Sequence, residues 1–128
     1  MTTRNEYLTS IETYDIETGS DWAVLQPPEI TGRRAPIVSP ISSTEFLLYG
    51  GFNNGVLKDI FTIDVKRQAV KKVGEGPIGL KTSYNNLAIC EGQGVVLASG
   101  YDKDDKMAML RLQYRRNKCE VEILHKDE

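Results

Sequence analysis

Phe46-Leu47-Leu48-Tyr49-Gly50-Gly51 is an apolar run that ends in two glycines, and 49 residues later Val95-Val96-Leu97-Ala98-Ser99-Gly100 repeats its shape. The same displacement lays residues 57–63 on 106–112. It also lays Leu8, Ile11, Tyr14, Asp15 and Ile16 on Leu57, Ile60, Ile63, Asp64 and Val65. A displacement of 48 puts Trp22 on Val70 and Leu25 on Val73, while Pro28 and Pro77 are again 49 apart. No single match is decisive, but all agree on one period. Self-similarity at a fixed period of this size marks architectures whose units bury their faces only against neighbours.

Within one period the chain reads as short strands separated by turn chemistry. In the middle unit, residues 35–41 form a first strand, and Ser42-Ser43-Thr44-Glu45 turns into a second at 46–51. Phe52-Asn53-Asn54-Gly55 is a loop, its Asn-Gly suited to positive φ. A third strand covers 60–65, Lys66-Arg67-Gln68 turns, and a fourth covers 69–73. The linker Gly74-Glu75-Gly76-Pro77-Ile78-Gly79 follows. No sustained helical period appears. Four antiparallel strands per repeat of about 50 residues predict an all-β chain of propeller-type blades.

The pattern resembles the kelch repeats of the kelch and galactose-oxidase propellers. Gly50-Gly51 ends an apolar run as in those blades, and Gly100 stands at the same place one unit later. Tyr14 and Trp22 resemble the spaced aromatic pair that follows, and Arg33 or Arg34 stands where such repeats often carry an Arg before the inner strand. Ile63 and Val70, then Leu112 and Cys119, replace the aromatic pair in the later units. The resemblance implies a partial kelch propeller of about two and a half blades: a half blade over 7–25, blades over 33–73 and 82–124, and a polar tail at 125–128. About six blades close such a ring. The chain is therefore expected to be a piece of a longer propeller or to self-associate.

Composition narrows the function classes. The 128 residues are 40% hydrophobic and 27% charged, with a formal net charge of −2, which points away from nucleic acid. No apolar run approaches the roughly 20 residues of a membrane span, and no signal-peptide pattern opens the sequence. Cys90 and Cys119 are too few for a disulfide framework or a zinc site, and their placement on the first and fourth strands of one blade predicts free thiols. A reducing compartment, the cytoplasm or the nucleus, is expected.

Motifs that could carry chemistry read as structure. Residues 74–79 match a dinucleotide fingerprint by letter but open no helix. Asp102-Lys103-Asp104-Asp105-Lys106 lacks the Gly and distal Glu of a calcium loop and reads as a solvated hairpin. Arg115-Arg116-Asn117-Lys118 reads as a polar turn. His125 is the sole histidine, so neither a copper site nor a Ser–His pair can be assembled. No catalytic residue, metal or cofactor is expected. The loops after the second strands share a face with the linkers, and that face carries Arg33, Arg34, Phe52, Asn53, Asn54, Lys81, Tyr101 and Asp102. Arg, Phe and Tyr are anchor types at protein interfaces. A non-catalytic protein-binding scaffold is the expectation. The alternatives are a fragment of a propeller enzyme with its catalytic residues elsewhere, or a truncated product with no function of its own.

Overall fold

The computed structural model describes residues 11–13, 16, 19, 23–25, 30–82 and 88–128. Strands β1 (Ile11–Thr13) and β2 (Ala23–Leu25) form an antiparallel pair. Strands β3 (Ile37–Pro40), β4 (Glu45–Phe52), β5 (Val56–Asp64) and β6 (Ala69–Glu75) make one four-stranded sheet in chain order. Strands β7 (Ala88–Gly92), β8 (Val95–Tyr101), β9 (Met107–Arg115) and β10 (Lys118–Lys126) make a second. Every strand pairing is antiparallel and joins chain neighbours. The described residues contain no helix, and so none long and apolar enough to cross a membrane. Tyr14 and Trp22 lie outside the described residues.

Strand boundaries differ from the sequence reading: β3 is shorter than the expected 35–41, β4 and β6 run past 46–51 and 69–73, and two further differences lie at a hairpin and at the last strand. The third strand of the first sheet begins at Val56 rather than at residue 60. Asn53-Asn54-Gly55 closes the hairpin alone, with Asn54 at φ 55° and the Asn53 amide donating to the Gly55 carbonyl at 3.0 Å, so Val56 already pairs with Phe52. At the other end, His125 and Lys126 are strand residues, paired with Met109 and Ala108. The Asp127 amide donates to Met107 O at 3.0 Å. The length of β9, not side-chain polarity, decides where β10 stops.

Side-chain alternation along the strands assigns the faces. Ile37, Leu47, Tyr49, Ile60 and Val73 of the first sheet join Val96, Ala98, Leu110, Leu112 and Cys119 of the second in one core. Leu48, Phe61 and Ile63 point the other way, where Ile30 and, at the margin, Ile11 cover them. Contacts run from β3 to β7 and β8 and from β6 to β10, so first strand meets first strand and last meets last. The ends of β4 and β8 also emerge together, since Phe52 and Tyr101 line one cavity. The second sheet is a rotated copy of the first, stacked in the same sense.

That stacking corrects the alignment of the repeats. A uniform displacement of 49 equates Leu47 with Val96, but those residues look at each other across the interface, whereas equivalents in a rotated stack must point the same way. Strand pairing gives the right match. Leu48 pairs with Phe61 as Ala98 pairs with Leu110, and Phe46 with Ile63 as Val96 with Leu112. The second strands are displaced by 50 and the third by 49. The difference is absorbed where Gly50-Gly51 stands against Gly100 alone, at a register shift in β4. Gly50 has φ 65°, and a Cβ there would strike the carbonyl oxygens of Leu80 and Leu57. The glycine pair lets the linker to the second sheet lie against β4, with the Gly51 amide donating to Leu80 O at 2.8 Å.

The corrected match exposes an asymmetry. The equivalents of buried Ser39, Ile60 and Val73 are Ile89, Met109 and Leu124, and all three are exposed. Val73 and Leu124 are both extra residues at a register shift in the fourth strand, opposite Ile60/Phe61 and Met109/Leu110. The second sheet thus bares the face that the first sheet buries. Leu110, at 0% exposure between the sheets, should cost about 2–5 kcal/mol when cut to Ala. Met109→Ala, at 42% exposure on the opposite face, should cost well under half of that in the same urea denaturation. Equal losses would contradict the assignment of faces.

Candidate functional site

The linker ahead of each sheet is tied to the end of that sheet's second strand by the same device. Arg34 and Phe52 exchange both backbone bonds, 3.0 and 2.8 Å, and Lys81 and Tyr101 do so at 3.0 and 2.8 Å. Each bridge joins a cation to an aromatic residue. A third link binds the two linkers together: the Ala35 carbonyl accepts from the Thr82 amide at 2.8 Å and from its hydroxyl at 3.2 Å. Ala35 holds φ 54°, a left-handed conformation uncommon for a residue with a Cβ.

Between these bridges lies a cavity of about 600 Å³, lined by Arg34, Ala35, Phe52, Lys81, Thr82, Tyr101 and Asp105. The Arg34 guanidinium lies 5.0 Å from the Phe52 ring centre, and the Lys81 ammonium lies 5.6 Å from the same ring. Two cations therefore share one aromatic ring, which attracts both and neutralises neither. Lys81 also meets Asp105 at 3.4 Å, and that carboxylate is 79% exposed. The Arg34 side chain makes no ion pair among the described residues.

Four residues singled out from the sequence, Arg34, Phe52, Lys81 and Tyr101, come together in this cavity. The others are placed differently. The Arg33 side chain is only 4% exposed and turned inward, paired with Asp59 through two bonds. It also donates to the Gly50 carbonyl at 3.0 Å and stacks 5.4 Å from the Phe61 ring centre. Arg33 thereby fastens the linker over the core. Asn53 donates to the Gly32 carbonyl at 2.6 Å, which holds the β4–β5 loop against the same linker. Asn54 is exposed at the tip of that loop. Asp102 is buried and accepts the Asp104 and Lys106 amides at 2.8 and 3.0 Å, so it shapes the β8–β9 loop. Ala35, Thr82 and Asp105 were not expected at the site. The signal for the first two was their position just after each bridging cation.

The remaining motifs are structural in form. Gly74 and Glu75 end β6, and no helix follows them among the described residues. Arg115 to Lys118 make the β9–β10 turn, beside Gln113 and Glu120. Cys90 on β7 and Cys119 on β10 are free, and burial pushes the Cys119 thiol up to about 11. No cluster of His, Cys, Asp or Glu that could hold a metal occurs among the described residues. No protein-family model matches the chain, and no curated protein matches it.

The Lys106 amide, then the Asp104 amide and the nearby Lys126 ammonium, hold the Asp102 carboxyl below its ordinary value against the opposing effect of burial. A carboxyl depressed in the folded state stabilises above its unfolded pKa, about 3.9, and that contribution is lost as pH falls toward the folded value. Asp102→Asn should be less stable than the native chain at neutral pH. The gap should narrow below about pH 4 in urea titrations, as the native carboxyl protonates. A gap that is the same at every pH would show that the charge of Asp102 does not hold the loop.

Proposed function

We propose that this chain is an arc of a kelch-like propeller acting as a non-catalytic protein-binding module, with the cavity at its linker end as the contact surface. The observation that carries the reading is the twofold cation–aromatic bridge, Arg34–Phe52 and Lys81–Tyr101, built at equivalent places of two stacked sheets around one cavity. Rigid backbone on both sides presents Arg and aromatic groups at low entropic cost, as interface anchors require. The same-sense stacking of four-stranded meanders is the arrangement of successive propeller blades.

The bared face of the second sheet fits the same reading. Ile89, Met109 and Leu124 stand where the first sheet has residues covered by its successor, so a further blade or a second copy would complete the burial. Light scattering after size exclusion, across a dilution series, tests this. The native chain should self-associate, and Met109→Lys should give a monomer that still unfolds in one cooperative transition. A native chain that stays monomeric and folded at high concentration would remove self-association from the proposal.

The contact surface is tested separately. A partner recovered with the native chain should be lost with Arg34→Ala/Tyr101→Ala, both at half-buried or exposed positions, while the melting curve is kept. Full retention of the partner would move the contact surface off the linker end.

A further inference from the structure

Resting on the reading of the cavity as a protein contact, we infer that it recognises a carboxylate of the partner, and that Asp105 is an internal competitor for it. Two cations converge on one ring. Lys81 is 5.6 Å and Arg34 5.0 Å from the Phe52 centre, and both line the same cavity. The apolar ring supports the cations but supplies no counter-charge. The Lys81 ammonium has found one in Asp105, at 3.4 Å, a contact so exposed that it contributes little and is easily exchanged. The Arg34 guanidinium, planar and suited to grip both oxygens of a carboxylate, has no anionic partner among the described residues.

Asp105 marks where the charge belongs. It comes from the β8–β9 loop, whose shape Asp102 fixes through the Asp104 and Lys106 amides. Asp105 itself holds φ 58°, and its amide donates to Asp102 O at 3.0 Å. Its side chain is not buried, and no other bond to its carboxylate exists among the described residues. A glutamate or aspartate of an incoming segment can take Arg34 bidentately and displace Asp105 from Lys81. Phe52 and Tyr101 then pack the neighbouring residues of that segment. No bond is made or broken beyond this exchange of ionic partners.

The test uses two fluorescein-labelled pools of short capped peptides, identical except that a central Glu in one is Gln in the other, with randomised flanking residues. By fluorescence anisotropy the native chain should bind the Glu pool about tenfold more tightly than the Gln pool, a preference that shrinks as salt is raised. Arg34→Ala should erase the preference. Asp105→Asn should strengthen binding of the Glu pool several-fold by freeing Lys81 and leave the Gln pool unchanged. Equal binding of the two pools would overturn carboxylate recognition while leaving the linker end as a contact surface. Binding of neither pool would overturn it as well, and partner loss in Arg34→Ala/Tyr101→Ala would then decide the broader reading alone. Unchanged Glu-pool affinity in Asp105→Asn, with the preference intact, would remove Asp105 as competitor.

Discussion

A four-stranded sheet that is apolar on both faces must be covered twice, and the first sheet, Val38 on its first strand apart, meets that constraint. Ile60 and Tyr49 look toward the second sheet, and Phe61 and Leu48 look back toward Ile30. Everything else follows from satisfying both sides at once. The linker before β3 must cross over the backward face, and the linker before β7 must leave β6 and return to the start of the next sheet. Both linkers are therefore drawn to the same end of the stack. Among the described residues the second sheet is covered on one face only, and Ile89, Met109 and Leu124 stand bare on the other.

Close approach between the linkers and the strand ends is bought with specific residues. Gly50-Gly51 admits the carbonyl of Leu80, and Gly76 leaves room for the Tyr49 ring, whose hydroxyl donates to Ile78 O. Burial drives the Tyr49 phenol well above its usual range, so it remains a neutral donor at any ordinary pH. Arg33 does the corresponding work on the other linker, and its two bonds to Asp59 let a guanidinium lie over Phe61 without leaving the charge uncompensated. Neighbouring arginines in one sequence thus have opposite tasks. Arg33 is spent on the fold, and Arg34 is left facing the cavity.

That division was not legible in the sequence, because Arg33 and Arg34 differ only in which way the backbone turns after Gly32. The sheets themselves were legible. Apolar runs bounded by Asn-Gly and Lys-Arg-Gln set the strands of the middle unit, and strand identity needs only local pattern. Alignment of the repeats was legible to within one residue over the second and third strands and to within two over the fourth, where Val70 matches Val121 rather than Cys119. An insertion of one residue at Gly50-Gly51 reverses every face assignment upstream of it in β4, and only strand pairing reveals where the extra residue lies. Asp102 and Asp105 sit in one acidic run, and composition alone gives no reason why the first should be buried under backbone amides and the second left at the rim. The answer lies in the loop's hydrogen bonds, which are a property of its closed conformation.

The cavity owes its existence to the stack rather than to either sheet. Arg34 and Phe52 belong to the first unit, Lys81 and Tyr101 to the second, and the Thr82–Ala35 bonds are what bring the units together there. A single unit would present one cation beside one ring, an arrangement common on protein surfaces and weak in water. Two units in register present two cations to one ring, with a floor of paired backbone that cannot swing away. Under the proposed reading, selectivity at such a site is set by the angle between neighbouring sheets, which the buried contacts of Leu110, Ile60 and Val73 hold fixed. With the cavity as the proposed contact surface, core packing and recognition become one geometric question: a change that loosens the sheet interface would spread the two cations and weaken the site before it unfolds either sheet.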